Sequence, residues 1–172
     1  FCKQYCSLSR NTANALVLGE CERLPLYITY VSNCIKYWLK LTRMENHRYP
    51  KQCYLMLKRL DDVGRLTWAS SVKDVLFMYG FGYAWISQDI GNDLLFLRLF
   101  KQRIKYCCLQ KWQTEIDTLS KARHIKHFKN LLNVESYLKV NLSYKLRRVL
   151  SNFRCSSHDL MVEEEIHIGI DV

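Results

Sequence analysis

The sequence predicts an all-α protein, an irregular multi-helix bundle. Only two prolines and six glycines interrupt its 172 residues, and strong helix formers such as leucine, lysine and arginine abound. Apolar side chains recur at three- and four-residue spacings, the period of a helix buried on one face. With 49% apolar residues the chain can bury a sizeable core. One helical domain is therefore expected over residues 1–158, or subdomains 1–90 and 91–158, followed by a frayed or extended acidic tail over 159–172.

The first half of the chain predicts four helices. Proline fits the first turn of a helix, and glycine or a polar run ends one. Punctuated in this way, the periodicity predicts helices near 12–19, from Pro25 to the polar connector 45–48, from Pro50 to the break at 61–64, and over 67–79. We expect Gly19 to end the first helix. The inward stripe of the third is expected to be Cys53, Met56, Leu57 and Leu60.

The second half predicts one long helix and two shorter ones. Residues 91–93 supply a glycine break and a cap, after which the long helix is lined by Leu97, Phe100, Ile104, Cys108 and Trp112. Its other face carries the cations Arg98, Lys101 and Lys105. The shorter helices are expected over 120–132 and 142–153, with their cations outward. The last helix is expected to bury Leu142, Leu146, Val149, Leu150 and Phe153.

Residues 101–154 form a basic stretch, which contains thirteen lysines and arginines but only three carboxylates. Because large apolar side chains interleave with these cations, the pattern indicates a folded basic surface. Such a surface predicts a polyphosphate partner, RNA or DNA. An acidic protein or an anionic membrane is the alternative that charge alone leaves open. The phosphate contacts are expected from Lys101, Arg103, Lys105, Arg123, Lys126, Lys145, Arg147 and Arg148.

Motifs that would carry chemistry are weak in this chain. Asp61 and Asp62 are adjacent, as in a polymerase Mg²⁺ site, but they lack the aromatic residue and the hairpin of such a site. We interpret them as a polar connector. His124 and His127 stand three apart on a predicted helix, among cations that would repel a metal ion. We therefore expect no catalysis by this chain alone and no small-molecule substrate.

The eight cysteines are scattered, without a C-x-x-C pair or a secretory signal. This usage predicts reduced thiols in an intracellular protein of the cytoplasm or nucleus. Cys155 and His158 resemble half of a zinc site, but a tetrahedral site needs four ligands. We expect no metal or other cofactor. No apolar run approaches the roughly 20 residues that cross a bilayer, so no membrane is expected as a partner.

Several short segments stand in a distinctive order along this chain: residues 16–20, 23–26, 35–41, 68–69, 80–81, 100–103 and 156–160. In that order they resemble part of the polyproteins of animal non-LTR (LINE-type) retrotransposons. In that family the corresponding region lies downstream of the reverse transcriptase core, and a Cys/His zinc knuckle commonly follows it. The family's catalytic aspartates and endonuclease map onto no position here.

The resemblance implies a non-catalytic helical region that holds template RNA or target DNA beside the polymerase core of the same polypeptide. The parent protein would then be an RNA-directed DNA polymerase. Residues 163–165 are three glutamates where the family has a more basic run. The competing hypothesis is a helical scaffold module, whose basic face docks on an acidic partner or on that polymerase core.

Overall fold

The structure, a computed structural model, describes residues 1–122, 125, 129 and 132–157. These residues form nine α-helices, one short 3-10 helix over Ser120–Ala122 and no strand, which confirms the all-α prediction. The predicted acidic tail lies outside the described residues. In chain order the helices are α1 (Cys2–Tyr5), α2 (Asn14–Glu20), α3 (Leu26–Thr42), α4 (Tyr49–Asp62), α5 (Trp68–Met78), α6 (Gly82–Ser87), α7 (Asp93–Thr118), α8 (Ser136–Lys139) and α9 (Tyr144–Arg154).

Packing divides the chain into two compact units, and α7 belongs to both. The central unit is Leu24–Cys108, and the terminal unit joins Phe1–Arg23 to the described residues that follow Cys108. The buried apolar side chains form one cluster in each unit. The expectation that residues 1–158 fold as one domain stays a prediction.

The central unit is built around the apolar face of α3, as the sequence predicts. Ile35 and Trp38 are fully buried, and each large buried side chain contributes roughly 1.5 to 3 kcal/mol. The Trp38 indole N–H donates to the Tyr54 hydroxyl at 2.9 Å, which in turn donates to Gln88 Oε1 at 2.7 Å. Thr67 caps α5 with a capping box formed with Ser70. These polar contacts fix the helices around the core.

The predicted inward stripe of α4 is partly wrong. Cys53 and Met56 are exposed, whereas Lys51 and Tyr54 are buried. Tyr54 can be buried because its hydroxyl has two interior partners. Lys51 can be buried because its ammonium donates to the Thr42 carbonyl at 2.9 Å. Amphipathic side chains with satisfied polar tips therefore replace smaller apolar ones on the inward face.

The terminal unit packs α2 against the last turns of α7. The Trp112 indole N–H donates to the Ala15 carbonyl at 2.8 Å. A Cβ at Gly19 would lie 3.0 Å from the Trp112 ring, so glycine permits this close approach. Gly19 is therefore a buried residue inside α2 and does not end the helix, contrary to the prediction.

Helix α7 serves both cores because its buried residues recur at every fourth position. Phe96, Phe100 and Ile104 pack in the central cluster, and Trp112 and Ile116 pack in the terminal one. Residues four apart lie on nearly the same side of a helix, so each set forms a buried face on its own part of α7.

The two short helices predicted after α7 need correction. In the first region, Ser120–Ala122 forms a 3-10 turn, Ile125 is also in 3-10 conformation, and Lys129 and Leu132 are not helical. The rest of the helix predicted over 120–132 lies outside the described residues. The second helix exists as α9, but its apolar stripe does not face inward. Leu146, Val149 and Phe153 are exposed by 56%, 64% and 58%, while Ser151 is buried. Helix α9 therefore packs through its polar face.

Candidate nucleic-acid interface

The eight cations predicted to contact phosphates are distributed over both units. Lys101, Arg103 and Lys105 lie on α7 in the central unit, and all three are exposed. The α9 members, Lys145, Arg147 and Arg148, lie in the terminal unit. Arg123 and Lys126 lie outside the described residues. Each unit's surface is therefore considered by itself.

A cationic stripe runs along one flank of α7. Arg98, Lys101 and Lys105 are separated by three and four residues, so they project from the same side of the helix. Arg103 projects from a different side. Within the described part of the chain, no ion pair involves any of these four side chains. Their charges are free to meet an external anion.

An open groove of about 470 Å³ lies between α3 and α7 in the central unit. Its walls include the apolar side chains of Leu39, Met44, Leu94 and Leu97. Two exposed lysines, Lys36 and Lys40, stand one helical turn apart on its α3 side. Lys101 follows Leu97 by four residues on α7, so the cationic stripe extends from the groove along the same flank. Groove and stripe together present unpaired positive charge beside an apolar wall.

The same groove contains one neutralised cation. The Arg43 guanidinium donates to Asp93 Oδ1 at 3.0 Å through Nη2 and also to the Gly91 carbonyl. Hydrogen bonding to Asp93 raises the pKa of Arg43. Lys36 and Lys40 enter no ion pair among the described residues. These two lysines are thus the groove's available cations.

Helix α9 presents a different surface. Lys145 and Arg148 are exposed, but Arg147 is half-buried, with its guanidinium carbon 5.1 Å from the ring centroid of Tyr5. That contact is a cation–π interaction, which holds Arg147 in the unit's own packing. Lys145 and Arg148 flank the exposed apolar stripe of Leu146, Val149, Leu150 and Phe153. This surface combines charge with apolar area.

Two cations of the basic stretch lie in an interior ion network, contrary to the prediction that they face outward. Arg154 donates to both carboxylate oxygens of the fully buried Glu20, at 3.0 and 3.1 Å. It also reaches Glu135 Oε2 at 2.9 Å, and Lys129 contacts Glu135 Oε1 at 2.5 Å. Tyr137 donates its hydroxyl to Glu20 at 2.9 Å. Lys129 and Arg154 therefore stabilise the fold. Because carboxylates neutralise their charges, they add little to the electrostatic potential outside the protein.

The adjacent aspartates have local partners. Asp61 accepts from Lys73 at 3.1 Å, and Asp62 pairs with Lys58 one turn earlier. Hydrogen bonding from Ser70 and from Lys73 lowers the pKa of Asp61. No group of three metal-ligating side chains occurs in the parts of the chain that the structure describes. His124, His127 and His158 lie outside those parts.

Cys155, which the sequence pairs with His158 as half of a possible zinc site, is buried in the terminal core. Burial raises the pKa of its thiol to about 12. Among the described helices, none has the length and apolar character to cross a bilayer.

Comparisons with protein-family models, curated proteins and solved structures found no match for this chain. The resemblance to LINE-type retrotransposon proteins therefore stays a prediction. Several of its segments contain core positions, such as Gly19 against Trp112 and the buried Ile35 and Trp38. Packing alone accounts for those residues, so they carry no functional assignment.

Sequence reasoning missed Lys36 and Lys40. The sequence does contain a pattern that marks them, because Lys36, Lys40 and Arg43 recur at helical spacing on the polar side of α3. Cations are denser in the second half of the chain, so the predicted phosphate contacts all lie there. The groove itself depends on how α3 and α7 pack, which no local pattern specifies.

Proposed function

We propose that this chain is a non-catalytic nucleic-acid-binding region of a retrotransposon reverse transcriptase protein. It holds template RNA or target DNA beside the polymerase core of the same intracellular polypeptide. The observation that carries the proposal is the set of exposed cations in the central unit that enter no ion pair among the described residues, two beside the groove and three along α7: Lys36, Lys40, Arg98, Lys101 and Lys105.

The chemistry of this surface suits a sugar–phosphate backbone. Lysine ammonium groups contact phosphates as point charges and do not read sequence. The apolar wall of the groove offers Leu94 and Leu97 to a sugar or a base edge. Binding is then expected to be sequence-tolerant and to weaken with salt, because each phosphate contact releases a condensed counterion.

The test replaces three cations of this surface with neutral side chains. Lys36→Gln, Lys40→Gln and Lys101→Gln together are expected to make the plot of log affinity against log salt less steep, by about one for each phosphate that is no longer neutralised. Fluorescence anisotropy with structured RNA, duplex DNA and single-stranded DNA over a salt series measures this slope.

The matched control is the triple substitution Arg48→Gln, Arg59→Gln and Arg65→Gln. These arginines are also exposed in the central unit, and their replacement changes the net charge equally. The control is expected to retain the wild-type slope. Equal weakening in both triple variants would mean that only net charge matters, and it would refute a site at the groove.

A second candidate function is protein docking, and the exposed apolar stripe of α9 favours it. Monomeric proteins usually bury such a stripe, so an exposed one marks an interaction surface. Lys145 and Arg148 flank the stripe, and α9 contains no carboxylate. Charge complementarity therefore selects an acidic partner with its own apolar face.

A designed acidic amphipathic peptide, helical and rich in leucine and glutamate, serves as the probe for docking. The double variant Leu146→Ser and Phe153→Ser is expected to weaken its binding by tenfold or more in anisotropy titrations. Leu66→Ser with Met78→Ser removes apolar side chains elsewhere that are even more exposed, and it is expected to have no effect. Peptide binding that survives the α9 change would reject this candidate.

A further inference from the structure

Four of the eight cysteines meet in the core of the terminal unit. Cys6 and Cys155 are buried members of that core, and Cys2 and Cys21 pack against it. The Sγ atoms of Cys6 and Cys21 are 3.5 Å apart. Cys6 directly follows α1, and Cys21 directly follows α2. Two thiols from different helices are thus in contact although neither function above uses them.

We propose that Cys6 and Cys21 are a reversible oxidation site, which a hydroperoxide converts into a disulfide linking α1 to α2. A disulfide has an S–S distance of about 2.0 Å, so the two sulfurs need to approach by about 1.5 Å. Both residues lie at helix ends, where backbone groups are less constrained than inside a helix.

The two thiols differ in access to solvent. Cys21 is half-buried and lines a cavity of about 300 Å³ together with Phe1, Cys2 and Tyr5, whereas Cys6 is fully buried. A hydroperoxide entering this cavity reaches Cys21 first. Cys6 then resolves the oxidised sulfur from the interior side.

Electrostatics act on the two thiols in opposite directions. The hydrogen bond between them lowers the pKa of Cys6 and raises the pKa of Cys21. Access to the cavity, and not acidity, therefore assigns the first step to Cys21, whose thiol must lose its proton before it reacts.

The reaction balances in two steps. The Cys21 thiol first loses its proton to water, and its thiolate sulfur then attacks one oxygen of the peroxide. The O–O bond breaks and hydroxide leaves, so Cys21 becomes a sulfenic acid. The Cys6 sulfur next attacks the Cys21 sulfur, the S–O bond breaks, and the hydroxyl leaves with the Cys6 proton as water. One peroxide is reduced, and the pair of sulfurs loses two electrons.

The chain is well suited to a peptide-mapping test. Trypsin cleaves after Lys3, Arg10 and Arg23, so Cys2, Cys6 and Cys21 fall in three separate peptides. The folded full chain is treated with one equivalent of hydrogen peroxide, alkylated, digested and analysed by mass spectrometry without reductant. The expected product links peptides 4–10 and 11–23, lacks two hydrogens relative to their sum, and separates on adding dithiothreitol.

Two variants test the roles assigned to the cysteines. The peptide map of the wild-type chain tests the disulfide by itself, even where a variant fails to fold. Cys6→Ser is expected to lose the link and to leave Cys21 as a sulfenic acid, which dimedone traps. Cys53→Ser removes an exposed thiol on α4 and is expected to retain the link. Unlinked, fully alkylated peptides would overturn the proposal. So would a predominant Cys2–Cys21 link, because it would assign the reactive pair differently.

Discussion

At the scale of single residues, the decisive group of the terminal unit is a buried carboxylate. Glu20 is fully enclosed, and its charge is compensated by Arg154 and by the Tyr137 hydroxyl. Removing one partner of a buried ion pair leaves the other charge without compensation, which costs far more than removing an exposed pair. Glu20 therefore holds α9 against α2 through charge in place of apolar contact.

We predict that Glu20→Gln lowers the free energy of unfolding by about 3 kcal/mol. Glutamine has nearly the same shape, so the decrease reports the charge and its hydrogen bonds. Urea unfolding followed by circular dichroism measures it. Glu115→Gln, at an exposed position on α7, is the control and is expected to change stability by less than about 0.5 kcal/mol. A change as small as the control's would contradict the role assigned to Glu20.

At the scale of elements, periodicity predicts where helices lie better than which face they bury. The helices from Leu26, Tyr49, Trp68 and Asp93 all begin close to the predicted positions, because proline, polar caps and glycine mark their ends in the sequence. Helix α6 is not among the predicted helices. It begins at Gly82, two residues after Gly80, whose positive φ marks the turn that follows α5.

Helix α9 shows why the buried face can be mispredicted. Its apolar stripe has the stronger helical period, yet Ser151 and Arg154 face the interior. The reason is non-local, because Glu20 requires a cation and α9 supplies it from its polar side. Local patterns contain no information on a carboxylate more than a hundred residues away.

The candidate interface was predictable to a similar extent. The outward positions of Lys101 and Lys105 follow from the apolar stripe of α7, and the structure confirms their exposure. The groove beside Lys36 and Lys40 is lined by residues of both α3 and α7, so it forms only when these helices pack together. The exposure of single cations was therefore predictable from the sequence, and the groove was not.

At the scale of the whole molecule, the buried apolar side chains that the structure describes fall into two clusters with no member in common. Leu76 is fully buried in the central cluster, and Leu16 is fully buried in the terminal one. Helix α7 contributes to both. Because the two cores are separate, a destabilising substitution in one core is expected to increase local unfolding first in the helices that surround that core.

Leu16→Ala and Leu76→Ala make a matched pair for this prediction, because each deletes the same atoms from a fully buried site and should cost about 2 to 5 kcal/mol. Hydrogen exchange read by mass spectrometry is expected to show faster exchange in α2 for Leu16→Ala, with α3 to α5 retaining their protection. Leu76→Ala is expected to give the reverse pattern. If either variant accelerates exchange equally in both sets of helices, the two cores unfold as one cooperative unit, and α7 transmits the destabilisation in full.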